Sequence, residues 1–74
     1  MAEKEIVSET FTDLGDELGV TFTSGTTYTI QVSRPVKLKI DNTEFDVIDN
    51  LTLTSTGDDV YIKTLAEGAF VSVL

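Results

Sequence analysis

The chain has 74 residues, 13 of them acidic and five basic, and it carries a formal net charge of −8 with no cysteine and no histidine. A chain of this length forms at most one domain and buries only about 60% of the surface that its unfolded form exposes, so disulfides, a metal or oligomerisation usually supplement the core. Without cysteine there are no disulfides, and without histidine the commonest transition-metal ligand is missing, which favours self-association by elimination.

The negative charge also limits the classes of partner. It opposes contact with a phosphate backbone or an anionic membrane surface, so we expect neither nucleic acid nor membrane as a partner. Two interpretations of the acidic residues remain open. They form a solvated surface that keeps a small protein soluble, or they imitate DNA phosphates in an acidic inhibitor.

The N-terminal residues 1–5 are charged and have little to bury, so the sequence predicts a flexible arm there and a single β domain over residues 6–74. This N-terminus lacks the basic-then-apolar order of a signal peptide, and no run of about 18 apolar residues occurs. We therefore expect synthesis in the cytoplasm. Residues 6–12 alternate imperfectly between apolar and polar, which predicts an edge strand or a bulge.

Residues 13–19 combine three carboxylates, two leucines and two glycines. The glycines argue against a long helix, whereas Asp13 suits the N-cap of a single helical turn whose leucines close the end of the core. Residues 20–23 are interpreted as a short strand. The turn signal Ser24-Gly25 then predicts a hairpin between this strand and residues 26–33.

The clearest pattern lies in residues 25–40, where two alternating segments flank Pro35, the only proline. Alternation predicts two strands, each with one buried and one solvated face. Proline cannot donate to a β-ladder, so it predicts a corner between them.

Residues 41–74 repeat short alternating segments separated by turn-forming residues. Residues 44–48 predict a strand, residues 51–54 and 60–64 predict a hairpin around a five-residue loop, and residues 69–74 predict the last strand. Seven or eight short strands without a helical period indicate an all-β fold, a small antiparallel β-sandwich or barrel with little or no helix. Ten positions are predicted to form its core: Tyr28, Ile30, Val32, Val36, Leu38, Ile40, Leu51, Leu53, Ile62 and Val71.

No group of residues suggests catalysis, a cofactor or a metal site. Histidine and cysteine are missing, no serine lies in a nucleophile elbow, and a core this thin cannot form the deep cleft that a carboxylate pair requires. The chain is therefore predicted not to be an enzyme. Six acidic residues and one asparagine could supply oxygen ligands for calcium: Asp41, Asn42, Glu44, Asp46, Asp49, Asp58 and Asp59. Their spacing matches no EF-hand loop, and residues of these types are typical of tight turns.

Apolar residues occur on both faces of the C-terminal strands. Tyr61 and Phe70 oppose the main valine and isoleucine positions, and Leu74 shares a face with Phe70. A closed barrel or sandwich could cover both faces within one chain, or a neighbouring subunit could provide the second cover. We predict a homo-oligomer joined through a hairpin of residues 60–74, with Tyr61, Phe70 and Leu74 in the interface and the last strand as an unpaired edge.

Four segments carry a resemblance to a known group: residues 11–15 (Phe-Thr-Asp-Leu-Gly), 25–31 (Gly-Thr-Thr-Tyr-Thr-Ile-Gln), 60–64 (Val-Tyr-Ile-Lys-Thr) and 68–73 (Gly-Ala-Phe-Val-Ser-Val). Together they resemble small all-β virion structural proteins of tailed bacteriophages and prophages, and the resemblance covers most of the chain. It implies a head-decoration, head-fibre or tail-associated role, a place in the virion, other virion proteins as partners, and a homo-oligomer, with a trimer favoured. A monomeric carbohydrate- or peptide-binding module and an acidic inhibitor remain as alternatives.

Overall fold

The structure is a computed structural model that describes residues 2–65 and 67–74. It contains eight short strands and one five-residue helix, which confirms the predicted all-β class. The elements follow in chain order: β1 (Ala2–Ile6), β2 (Thr12–Asp13), α1 (Leu14–Leu18), β3 (Thr27–Val32), β4 (Val36–Ile40), β5 (Thr43–Val47), β6 (Asn50–Thr54), β7 (Val60–Thr64) and β8 (Ala69–Val73). The helix is far too short and too polar to cross a membrane, and the described residues contain no other helix.

The strands form two antiparallel sheets of four, which we name sheet A, with the order β1-β8-β3-β6, and sheet B, with the order β2-β7-β4-β5. The pairs β1–β8, β2–β7, β3–β6 and β4–β5 are nested, as in one long hairpin. The long hairpin folds over on itself, so that β3 also pairs with β8 and β4 also pairs with β7. These two pairings complete the four-stranded sheets. An eight-stranded, double-sheet fold with this winding is a jelly roll, the architecture of viral capsid, lectin and cupin domains.

The tip of the long hairpin is the two-residue loop between β4 and β5. Its residues Asp41 and Asn42 have φ angles of 50° and 61°. A type I′ turn requires positive φ at both central positions, and aspartate and asparagine tolerate this conformation better than other non-glycine residues. In the described chain, the two strands of each remaining consecutive pair lie in different sheets. The predicted corner at Pro35 is one of these crossings, since it leads from β3 in sheet A to β4 in sheet B.

The core lies between the two sheets and takes one face of each. Six of the ten predicted core residues are buried, and the remaining four, Tyr28, Ile40, Leu51 and Leu53, are half-buried against the same cluster. The alternation in β3 and β4 therefore predicted the buried face correctly. Further buried apolar residues escaped the prediction: Ile6, Leu14, Val47, Val60, Ala69 and Val73.

Helix α1 closes one end of the core, as its sequence predicted. The Asp13 side chain caps the helix by accepting a hydrogen bond from the Asp16 amide at 3.1 Å, and Gly19 ends it with a φ of 68°. Leu14 is fully buried and Leu18 packs against the core cluster. A helix this short gains its stability from that packing and its cap rather than from intrinsic propensity.

The N-terminal segment differs from the prediction. Residues 2–5, expected to form an arm, belong to β1 and pair with β8, while Met1 lies outside the described residues. The strand predicted over residues 6–12 is mostly a connection, in which Ser8 O accepts hydrogen bonds from the backbone amide and the hydroxyl of Thr64. An edge strand accommodates these charges because Glu3 and Glu5 lie on its solvated face, while Lys4, on the same face as Ile6, bonds to Glu17 of α1 at 2.8 Å.

Residues 20–23 were also predicted as a strand and instead form a loop. The Tyr28 hydroxyl secures this loop, because it accepts a hydrogen bond from the Thr23 amide at 2.8 Å and donates one to Thr21 O at 3.0 Å. The Phe22 ring meets the Tyr28 ring edge-on, with 5.0 Å between centroids. The hydrogen bond from Thr23 stabilises the phenolate and so lowers the pKa of Tyr28.

Besides the hairpin between residues 20–23 and 26–33, which does not form because residues 20–23 are a loop, two further predicted hairpins are wrong. Strands β6 and β7 lie in different sheets, and so do β7 and β8. β8 is also not an edge strand, since it pairs with β1 on one side and β3 on the other. Turn-forming residues between two strands therefore marked crossings between sheets here, because a loop of four or five residues suits either connection. Residues 65–68, which connect β7 to β8, were predicted as a turn; one of them, Ala66, lies outside the described residues.

Candidate binding surfaces

The jelly roll has two ends with different chemistry. The strand registers place the connections β1–β2, β3–β4, β5–β6 and β7–β8 at one end. Three of these connections expose a large apolar side chain: Val7 is 70% exposed, Ile48 74% and Leu65 48%. We name these three residues the apolar end. Pro35 and Leu65 also line a shallow groove of about 310 Å³ there, beside Arg34 and Glu67.

The opposite end is acidic. Asp13, Asp16, Asp58 and Asp59 line a cleft of about 230 Å³, together with the backbone around Gly15 and Gly57. Asp13 caps helix α1 and Asp58 accepts a hydrogen bond from the Thr56 hydroxyl at 2.9 Å. These contacts are the local hydrogen bonds of caps and turns.

The other carboxylates considered for calcium are dispersed. Asp41 and Asn42 form the β4–β5 turn, and Glu44 and Asp46 point outward from β5. Asp49 lies in the next connection, where its backbone carbonyl accepts a hydrogen bond from Val32. Within residues 2–65 and 67–74, no group of three or more acidic side chains has a geometry that could hold a metal ion.

The outer face of sheet A is almost free of charge. Eight outward side chains on β3, β6 and β8 form what we name the uncharged face: Thr27, Thr29, Gln31, Asn50, Thr52, Thr54, Phe70 and Ser72. Threonine hydroxyls pair across β3 and β6 at 3.0 and 3.3 Å. Among the described residues of sheet A, carboxylates on this side occur only on the edge strand β1, at Glu3 and Glu5. Three of the four strands of sheet A thus present small polar groups and one phenyl ring to solvent.

Two of the predicted interface residues belong to this side of the molecule. Phe70 is 53% exposed on the uncharged face, and Leu74, 52% exposed, continues β8 beside Thr29 through a pair of backbone hydrogen bonds. Tyr61 is half-buried on β7, on the outer face of sheet B. The sequence therefore predicted three outward residues, but the fold places Tyr61 on the opposite side of the sandwich. A single flat contact cannot include all three.

The outer face of sheet B concentrates positive charge. Lys37, Lys39 and Lys63, three of the five basic residues, point outward from β4 and β7. The Phe11 ring lies beneath two of them, with the ammonium of Lys39 at 5.3 Å and that of Lys63 at 4.9 Å from its centroid. Both distances fit a cation–π interaction. We name Phe11, Lys39, Tyr61 and Lys63 the lysine face.

The remaining basic residues pair with carboxylates. Lys4 bonds to Glu17 at 2.8 Å, which, together with a hydrogen bond from the Thr12 hydroxyl, lowers the pKa of Glu17. Arg34 lies 3.4 Å from Glu67 and Lys37 lies 3.5 Å from Asp46. In the described part of the chain, Lys39 and Lys63 have no carboxylate within 4.0 Å.

Reasoning from the sequence did not identify the lysine face. Alternation showed that Lys37 and Lys39 point outward, but Phe11 and Lys63 lie 52 positions apart and meet only because β2 pairs with β7. No local pattern contains that information.

The comparisons with known proteins found no match among family models, curated proteins or solved structures.

Proposed function

We propose that this protein is a non-enzymatic virion structural protein of a tailed phage or prophage, of the capsid-decoration, head-fibre or tail-associated kind. It acts by self-association and by binding neighbouring particle proteins. Two observations support the proposal at the level of fold and sequence: the resemblance of residues 11–15, 25–31, 60–64 and 68–73 to such proteins, and the jelly-roll strand order that viral capsid domains share. Fold alone does not define function, and the uncharged face of sheet A provides the more specific support for a role in assembly.

The uncharged face is the observation that carries the proposal. A chain with 13 carboxylates leaves eight outward positions on three adjacent strands without charge. Strands depleted of charge that expose an aromatic residue match the compositional signature of a protein–protein interface. The β3, β6 and β8 surfaces of two copies, each with a net charge of −8, can also approach without carboxylates from those three strands, whereas Glu3 and Glu5 of β1 lie at the border of the contact.

The interface extends from the uncharged face toward the apolar end. A standard interface buries about 800 Å² on each partner, which is about a fifth of the 4289 Å² exposed by this chain. Three short strands cannot supply that area. Phe70 lies at the end of the face next to the apolar end, where the Val7 side chain packs close to Gly68. Phe70 therefore lies next to the apolar end, and Glu5, directly opposite Phe70 on β1, borders the surface offered to a subunit or a particle protein.

Light scattering over a range of micromolar concentrations tests the self-association. We expect a mass that is a multiple of 8.1 kDa, with three copies favoured by the resemblance. Phe70→Asp should return the mass to 8.1 kDa, because it introduces a charge into the centre of the contact. Tyr61→Asp is the matched control, since it makes the same change on the opposite side of the sandwich. A monomeric native chain, or equal dissociation by both variants, contradicts the proposed interface.

The place in the particle needs a separate measurement. Particles purified from the source culture after induction should contain the chain in many copies, detected by mass spectrometry and by antibody labelling in electron micrographs. The chain should remain with particles through a density gradient. Recovery only in the free protein fraction would contradict a virion role, whatever the oligomeric state.

A carbohydrate-binding module is the second candidate, and a specific observation favours it. Jelly rolls also occur as lectin domains, and the uncharged face presents threonine, glutamine and asparagine groups that can hydrogen-bond to sugar hydroxyls. A glycan array separates the candidates: binding that Gln31→Ala abolishes while the chain stays monomeric supports the module.

A further inference from the structure

We propose that the lysine face is a binding site for a short acidic segment of a partner protein, whose carboxylates lie between the ammonium groups of Lys39 and Lys63 and whose neighbouring side chain packs on Phe11 and Tyr61. This surface is separate from the uncharged face and lies on the other sheet. It therefore assigns a second contact to the chain, and it does not depend on the self-association proposed above.

The basic residues of this chain differ in whether they are paired with a carboxylate. All three other basic residues in the described chain form ion pairs, at distances from 2.8 to 3.5 Å. Lys39 and Lys63 are the pair left without a carboxylate, and they share one ring. In a protein of net charge −8, unneutralised cations collected on one face are complementary to an acidic ligand.

Within the described chain these two lysines contribute a cation–π contact to the fold but no ion pair. The register places Lys37 directly opposite Lys63, and like charges opposite each other across two strands are destabilising. Glu44 is directly opposite Lys39, yet the Lys39 ammonium lies over Phe11 and makes no ion pair with it. Both ammonium groups therefore stay available to a carboxylate from outside the chain.

Carboxylates on both sides of the lysine face limit the size and the class of its ligand. Asp13 lies on one side of the lysine face, and Glu44 and Asp46 point outward from β5 on the other. An extended phosphate backbone would meet these carboxylates, and its affinity requires several cations in succession. A short segment with one or two carboxylates fits between them. The half-buried rings of Phe11 and Tyr61 supply apolar surface next to the charges, as interface anchors do.

Titration of ¹⁵N-labelled protein with a short acidic peptide that carries one aromatic residue, acetyl-Gly-Glu-Phe-Glu-Gly-amide, followed by NMR, tests the site. We expect saturable shifts at the amides of the lysine face that weaken as salt is added. The double variant Lys39→Gln with Lys63→Gln should reduce the affinity about tenfold, since each lost charge contact is worth a factor of a few. The variant Lys39→Arg with Lys63→Arg should retain binding.

The matched control is Lys4→Gln with Arg34→Gln, which removes two positive charges elsewhere and gives the same net charge. An equal loss of affinity in this control would show that net charge alone governs binding, and would overturn the site. Absence of saturable shifts with the short acidic peptide, or tighter binding of a single-stranded oligonucleotide, would also overturn it. The light-scattering mass of the Lys39→Gln, Lys63→Gln variant should equal that of the native chain, so failure here and failure of self-association are distinguishable.

Discussion

Replacement of Gly15 by alanine should destabilise the protein, although Gly15 lies in a helix. Helix propensity alone predicts that the change stabilises by about 1 kcal/mol. In the structure, however, an added Cβ would lie 2.6 Å from the carbonyl oxygen of Val20, whereas ordinary contacts begin at 3.4 Å. The Val20 amide donates to Gly15 O at 2.9 Å, so the loop cannot withdraw without stretching that bond.

Overpacking costs about 1–3 kcal/mol, and a 2.6 Å approach to backbone that cannot rotate away belongs to the upper part of that range, about 2–3 kcal/mol, which leaves a net loss of about 1–2 kcal/mol after the gain in propensity. For 74 residues, 1 kcal/mol corresponds to about 6 °C in Tm, so we expect Tm to fall by about 6–12 °C. Thermal unfolding followed by far-UV circular dichroism measures this shift, and urea titration gives the free energy of unfolding independently.

Gly68→Ala is the matched control. Its Cβ would lie 2.8 Å from Val7 Cγ1, but that atom belongs to a side chain that is 70% exposed and can rotate away. The nearest backbone atom, Ile6 O, would be 3.3 Å away rather than 2.6 Å. We expect Gly68→Ala to change the free energy of unfolding by no more than about 0.5–1 kcal/mol. A rise in Tm for Gly15→Ala, or equal losses in the two variants, would refute the reasoning from contact with the Val20 backbone.

Three further predictions concern the core, the pH dependence and the acidic end. Leu38→Ala removes a fully buried side chain from a central strand and should cost about 2–5 kcal/mol in urea titrations; an unchanged midpoint would contradict the assigned core. Because Lys4 lowers the pKa of Glu17 from its ordinary 4.5, the pair's contribution to stability is complete above that pH and is lost as pH falls through the lowered value. Glu17→Gln should remove that part of the acid sensitivity, and a stability–pH curve identical to that of the native chain would contradict this assignment. Calorimetric titration with calcium should give no saturable heat, since the acidic end consists of cap and turn residues; a micromolar isotherm would overturn that view.

The sequence correctly predicted the features that depend on neighbouring residues. Alternation in residues 27–32 and 36–40 gave the buried faces of β3 and β4, because successive side chains of a strand point to opposite sides whatever the strand pairs with. The cap at Asp13 and the corner at Pro35 were also predicted from local chemistry. These features follow from backbone geometry within a few residues.

Sequence reasoning failed where distant segments decide the outcome. Residues 2–5 are charged, but pairing with β8 makes them a strand. Residues 20–23 have strand-like composition, but the Tyr28 hydroxyl and the Phe22–Tyr28 contact hold them as a loop without a ladder. Phe70 was correctly predicted to point outward, whereas its expected neighbour Tyr61 lies on the other sheet. Each error concerned the partner of a segment and not its local pattern.

The sequence by itself determined the all-β class, the thin core and the acidic surface, since composition, alternation and turn chemistry are local properties. Only the tertiary structure decided that consecutive strands other than β4 and β5 lie in different sheets, so that β1 pairs with β8 and β2 with β7. That winding collects the uncharged residues on one outer face and brings Phe11 beneath Lys39 and Lys63 on the other. The physical reason is that a short turn-forming loop permits either a hairpin or a crossing between sheets, and burial of both inner faces selects between them.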